Sequence, residues 1–132
     1  MLKTIDVKTP ERETFVDLTS RLQQMVKESG IKSGCLTAFV PHTTAAITIN
    51  ESADPDVRRD LAVTLRKLIP YQGDYHHAEG NSDAHLKSSL FGPSLTILIE
   101  NGTLLLGTWQ AVYFAEFDGP RSRKLHIKLL AD

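Results

Sequence analysis

The chain has 132 residues, a length at which one domain with a real hydrophobic core is the default. Hydrophobic residues make up 41% and charged residues 23%, ordinary globular usage that excludes disordered and fibrous classes. Its 15 Lys plus Arg against 16 Asp plus Glu include no long run of one sign, which leaves no footprint for nucleic acid, and no stretch approaches the roughly 20 apolar residues of a membrane span.

The opening MLKTIDVKTPERE lacks the apolar centre of a signal peptide, so a soluble, cytoplasmic protein is expected. Leu2 to Lys8 alternates as a half-buried strand does, Thr9-Pro10-Glu11 supplies a turn, and Glu13 to Leu18 forms a second strand, together a predicted hairpin. Thr19 is placed to cap a helix with Leu22, Met25 and Val26 on one face, and Gly30 stands where a left-handed terminus belongs. Cys35 to Val40 and Ala45 to Asn50 are β-prone and flank the polar tetrad Pro41-His42-Thr43-Thr44, giving a second pair of strands. Cys35, the only cysteine, excludes an internal disulfide and reads as a buried strand residue.

Pro55, between Asp54 and Asp56, opens a helix to Ile69 with Val57, Leu61, Leu65 and Leu68 inward. Pro70 to Gly80 has no period and is a loop. Asn81, Ser82 or Asp83 then caps a short helix carrying His85, Leu86 and Leu90, which Phe91-Gly92-Pro93 ends. Leu95 to Glu100, Leu104 to Leu106, Thr108 to Phe117 and Arg123 to Leu130 read as strands, with Asn101-Gly102 the strongest hairpin turn. The predicted order is hairpin, helix, hairpin, two helices, meander: an α+β fold with a mainly antiparallel sheet or sandwich.

Imidazole is the commonest protein ligand for zinc-like ions, so His42, His77 and His85 are candidate metal ligands that only the fold can bring together. The eight-residue step from His77 to His85 does not match the helical HExxH pattern, and His76 and His126 read as structural or solvent-facing. Asn50-Glu51 ends an apolar strand, where Glu51 can act as general base, metal ligand or orienter of a histidine, or simply flank the next helix. Asp54, Asp56 and Asp60 belong to that helix start and its exposed face. Gly80 to His85 offers a helix N-terminus to an oxyanion, without the glycine and lysine spacing of a Walker loop. In Asp118-Gly119-Pro120-Arg121, Arg121 can hold a phosphate or carboxylate and Asp118 can pair with it or with a metal. Ser82, Ser88 and Ser89 lack the strand-elbow context of an activated nucleophile.

Five blocks carry a resemblance across essentially the whole chain: Pro41 to Ala46, Ile49 to Val57, Gly80 to Lys87, Gly107 to Gln110 and Asp118 to Arg121. Together they resemble the YjbQ family, also called the UPF0047 family. That resemblance implies an α+β β-sandwich assembled as a homotrimer, with clefts near subunit boundaries, and a thiamine phosphate synthase activity joining a pyrimidine pyrophosphate to a thiazole phosphate. It also implies shared positions at His42, Asn50, Glu51, His77, His85, Asp118 and Arg121, and a divalent metal, zinc or magnesium, held through histidines.

On that basis His42, His77 and His85 are expected to hold the ion. His85, Glu51, Asn50 and Asp118 form the catalytic set, and Arg121, Asn81, Ser82 and Thr43 take a small phosphorylated substrate. A metal-dependent phosphoester hydrolase and a non-enzymatic small-molecule or metal-binding trimer are the alternatives to the synthase.

Overall fold

The computed structural model describes residues 1–132. Eleven elements follow one another: β1 (Leu2–Thr9), β2 (Thr14–Asp17), α1 (Thr19–Ser29), β3 (Ser33–Phe39), β4 (Ala45–Glu51), α2 (Pro55–Leu68), α3 (Ser82–Phe91), β5 (Ser94–Glu100), β6 (Thr103–Leu104), β7 (Gln110–Glu116) and β8 (Arg121–Ala131). The class is α+β with three helices, as the patterning predicts, and no helix is long and apolar enough to cross a membrane.

The strands form two antiparallel sheets, one ordered β1-β8-β3-β5-β6 and the other β2-β7-β4. Between them lies a core of 18 buried residues, to which β1, β3, β5 and β8 send Val7, Leu36, Ile97 and Leu125, and β4 and β7 send Ile47, Val112 and Phe114. Leu22, Met25 and Val26 of α1 close one side of this core, and Gly30 caps the helix at φ 74. Thr19, expected to cap that helix, lies inside it instead. Asp17 accepts the Thr19 N–H at 2.9 Å, while the Thr19 hydroxyl accepts the Val112 N–H at 2.9 Å and ties the helix to β7.

The sequence-derived pairing needs correction. Of the predicted hairpins only the Asn101-Gly102 turn joins partners, pairing Ile99 with Leu104. β1 and β2 do not pair; nor do β3 and β4, β6 and β7, or β7 and β8, because each of these connections carries the chain from one sheet to the other. Alternation marks which face of a strand is buried and says nothing of its partner. Three of these crossings contain a proline, Pro10, Pro41 and Pro120, which cannot donate to a ladder and so marks where pairing stops. Thr108 and Trp109 also leave the predicted strand. They form a turn closed by Gln110, whose N–H donates to Gly107 C=O at 3.1 Å and whose Oε1 accepts the Gly107 N–H at 2.8 Å.

A second, smaller core lies on the outer face of the three-stranded sheet, where Ala46, Ala115 and Phe117 meet Leu65 of α2 and Ala84 of α3. Of the α2 residues predicted inward only Leu65 is buried. Val57 and Leu61 are half-buried, and Leu68, nearly a turn past the last residue that reaches this layer, is 72% exposed. α3 inverts the usual pattern: Asp83, Ala84, Lys87 and Ser88 are buried, while Leu86 and Leu90 face outward.

Candidate functional site

The three proline-bearing crossings converge at one end of the sheets and are bolted together by a buried ion pair. Glu116, fully buried at the end of β7, receives Arg123 Nε at 2.8 Å, the Thr9 hydroxyl at 2.7 Å, and the N–H groups of Phe117 and Asp118 at 3.1 Å each. Burial opposes ionisation of this carboxyl, but the hydrogen bonds from Arg123 and Thr9 outweigh it and hold Glu116 below the usual carboxylate range. Arg123 also donates to the Thr44 hydroxyl at 2.9 Å, and Thr9 Oγ1 accepts the Arg121 N–H at 2.9 Å. The Arg12 carbonyl accepts the Gly119 N–H at 2.9 Å, and a Cβ on Gly119 would lie 2.3 Å from the Glu11 carbonyl oxygen, so this corner admits glycine alone.

Helix α3 is fixed against these crossings by polar contacts in place of apolar ones. The fully buried Lys87 ammonium donates to Asp83 at 3.1 Å and to Glu13 at 3.2 Å, and Arg12 donates to Asp83 at 2.9 Å. The Ser88 hydroxyl donates to the Thr43 carbonyl at 2.6 Å, which ties the helix carrying His85 to the loop carrying His42. An isolated buried charge is untenable; this set is closed, each ion meeting an opposite one.

Between α3 and the crossings lies an open cavity of about 610 Å³, lined among others by Phe39, His42, Thr43, Asn81, His85, Asp118, Arg121 and Arg123. That volume suits one small organic ligand. Arg121 is held by Asp118: Nε donates to the Asp118 carbonyl at 2.7 Å and Nη2 to Oδ2 at 3.0 Å, leaving the remaining guanidinium donors uncommitted. Asn81 Nδ2 donates to the same Oδ2 at 2.9 Å, while its own Oδ1 is buried without a partner. Burial works against charge on Asp118, but Asn81 and Arg121 overcome it and hold the carboxyl below its ordinary value. Asp118 is therefore an anion that orients Arg121 rather than a proton donor.

His42 is not available as the sequence suggests. Its Nε2 accepts the Lys124 N–H at 2.9 Å, which places the ring proton on Nδ1. Burial, and then the nearby Arg123 charge, push its titration down, so the ring is neutral at neutral pH. His85 and His77 do meet, edge to face with ring centroids 5.1 Å apart, and His77 stands 3.7 Å from Glu79. His77 opens onto an adjoining cavity of about 510 Å³, which His85 shares. The three imidazoles thus gather around His85 without forming one ligand set: no three His, Cys, Asp or Glu side chains converge. With its acceptor nitrogen engaged, His42 does not fit the three-histidine metal site that the resemblance implies.

Asn50 and Glu51 stand apart from the cleft. They end β4, six residues and about 20 Å of extended chain from the His42 loop. Asn50 Oδ1 accepts the Glu51 N–H at 2.7 Å, and the Glu51 carbonyl accepts the Tyr113 hydroxyl at 3.2 Å. Ser82 is also turned inward, its hydroxyl 3.5 Å from the His77 carbonyl, and the N–H groups of Ala84 and His85 are taken by the Asn81 carbonyl. The start of α3, with Asp83 buried in its first turn, is accordingly a poor phosphate cradle. Arg123 and Phe39 also line the cleft, although the alternation of the sequence marks both only as strand residues.

A family model described as "UPF0047 protein YjbQ-like" matches residues 3–132. A UPF0047 protein of Methanocaldococcus jannaschii is 52% identical over 132 residues, covering 100% of this chain and 96% of its own. The UPF0047 protein YugU of Bacillus subtilis is 47% identical over 131 residues, covering 98% and 99%. Among solved structures, an uncharacterised YjbQ/UPF0047 protein of Clostridium acetobutylicum superimposes with a TM-score of 0.94 at 54% identity, covering 97% of this chain and 99% of its own. A protein of unknown function from Sulfolobus solfataricus reaches the same TM-score of 0.94 at 31% identity, covering 100% and 97%.

Proposed function

This chain belongs to the YjbQ-like UPF0047 family, and on that premise we propose that it is a transferase of the thiamine phosphate synthase type. It joins a hydroxymethylpyrimidine pyrophosphate to a thiazole phosphate and releases pyrophosphate. The observation that carries the proposal is the Asp118-held Arg121 guanidinium in the same cavity as His42 and His85.

The bond between the pyrimidine methylene carbon and the pyrophosphate oxygen breaks, and its electron pair leaves with pyrophosphate. The lone pair of the thiazole nitrogen closes on that carbon, leaving the positive charge on the ring. The protein's task is therefore to stabilise charge on the departing group and to align the incoming nitrogen. Arg121, preset by Asp118, meets the departing charge with its free donors, and His85 hands a proton or a hydrogen bond to a pyrophosphate oxygen. Neutral His42 offers Nδ1–H, and Thr43 beside it also lines the cavity.

The same reading takes the two packed sheets as a β-sandwich, a homotrimer as the working assembly and the cytoplasm as its location. The outward Leu86 and Leu90 of α3 support a covering neighbour. The test is to incubate purified protein with both precursors and Mg²⁺ and to follow thiamine phosphate by chromatography. His85→Ala should slow formation by about 100-fold or more, the usual loss for a positioned proton donor. Equal rates from both proteins, pyrophosphate release without the thiazole, or binding without turnover would each reject the synthase.

A further inference from the structure

Phe39 is the one carbocyclic ring lining a cavity whose other walls are largely polar. It ends β3 with its side chain 46% exposed, while its neighbours Ala38 and Val40 are buried. Across the β3–β8 ladder it faces His126, and the two rings lie parallel, 7° apart with centroids at 6.4 Å. His126 in turn is held by the Thr4 hydroxyl, 2.8 Å from Nδ1, on β1. Three adjacent strands therefore fix a flat aromatic side chain that lines the cleft holding Arg121. Offset parallel rings at this spacing attract, so His126 braces the Phe39 plane against rotation.

We propose that Phe39, braced by His126, is a stacking platform for the planar ring of a phosphorylated heteroaromatic substrate whose anionic group lies on Arg121. The inference rests on the proposed reading of the cleft and adds to it the residue that receives the substrate's ring. An exposed aromatic face leaves apolar surface in water, and a ligand ring laid over it removes apolar area from both partners. Aliphatic phosphates satisfy Arg121 and leave this surface bare.

Titration calorimetry with two probes tests this: the hydroxymethylpyrimidine pyrophosphate, which has ring and anion, and inorganic pyrophosphate, which has the anion alone. Phe39→Leu should weaken the pyrimidine probe by roughly threefold to tenfold, the range expected for one lost aromatic pair, and leave inorganic pyrophosphate within about twofold. Phe39→Tyr should restore affinity. Phe39→Trp should keep it and report the pyrimidine probe, but not inorganic pyrophosphate, by fluorescence quenching. Sedimentation of all variants should match the parent protein. Binding of both probes with Phe39→Leu neutral, or an equal loss for both, would overturn the platform and leave the anion site standing. A changed assembly state would overturn it in favour of a contact between copies. Failure of the unmodified protein to bind either probe takes down the anion site and the platform together.

Discussion

Arg123→Met tests whether the buried ion pair holds the crossings together. The substitution leaves Glu116 fully buried, with the Thr9 hydroxyl and two backbone N–H groups but no cation. Removing one member of a buried pair typically costs about 3–5 kcal/mol, because the surviving charge loses its partner without regaining water. In a chain of this size that loss lowers the melting temperature by about 10–20 °C. In the parent protein the folded carboxyl lies below its ordinary value of 4.5, so its contribution is full above that pH and is lost as pH falls through the folded value. In the variant the sign reverses. Burial, no longer countered by the guanidinium, raises the folded carboxyl above the unfolded value, and stability is lost as pH climbs. The deficit measured by urea denaturation with circular dichroism should therefore be largest near about pH 7 and shrink toward about pH 5. Glu116→Gln combined with Arg123→Met should recover part of it. A deficit below about 1 kcal/mol, or one constant across that range, would refute the reasoning.

Arg121→Lys removes the two-point hold on Asp118 from a half-exposed side chain, so stability should stay within about 0.5 kcal/mol while pyrophosphate affinity falls about tenfold by calorimetry. His42 should titrate below 6.5 in a proton–carbon correlation experiment, and its share of stability, full above 6.5, should fade as pH drops through the folded value; a midpoint above 6.5 contradicts the burial of the ring beside Arg123. Lys87→Met leaves Asp83 and Glu13 facing each other with one cation fewer and should cost about 3–5 kcal/mol at neutral pH by denaturant melts, with an unaltered midpoint speaking against the closed network. Gly119→Ala forces a methyl to within 2.3 Å of the Glu11 carbonyl oxygen and should lower the melting temperature measurably, whereas Gly92→Ala, which meets no atom within 4 Å, isolates the effect of backbone conformation alone.

Much of the site was legible because its residues punctuate the pattern. His42 and Asp118-Gly119-Pro120-Arg121 interrupt strands, and polar breaks at strand ends are where reachable groups collect. The ion pair also left a trace. Arg123 shares the parity of Leu125, Ile127 and Leu129, all buried, so a cation in an inward register demanded a buried partner. Likewise Asp83 and Lys87 stand four apart on one helix face, a spacing that pairs opposite charges. What the alternation could not give was strand partnership, hence four false pairings. Nor could it show that Asn50 and Glu51, so close to His42 in sequence, are separated from it by a full strand length. Phe39 gave no signal, because an outward aromatic in a strand is common and only the neighbouring cleft gives it meaning.

The proline-bearing crossings join the two sheets at the cleft, and Glu116 clamps them to one another. A change in the angle between the sheets is then transmitted to every wall of the cavity at once, as jaws sharing a hinge move together. Ligand grip and sheet geometry become one mechanical variable, so substitutions in the distant interior, far from any substrate atom, are able to retune affinity.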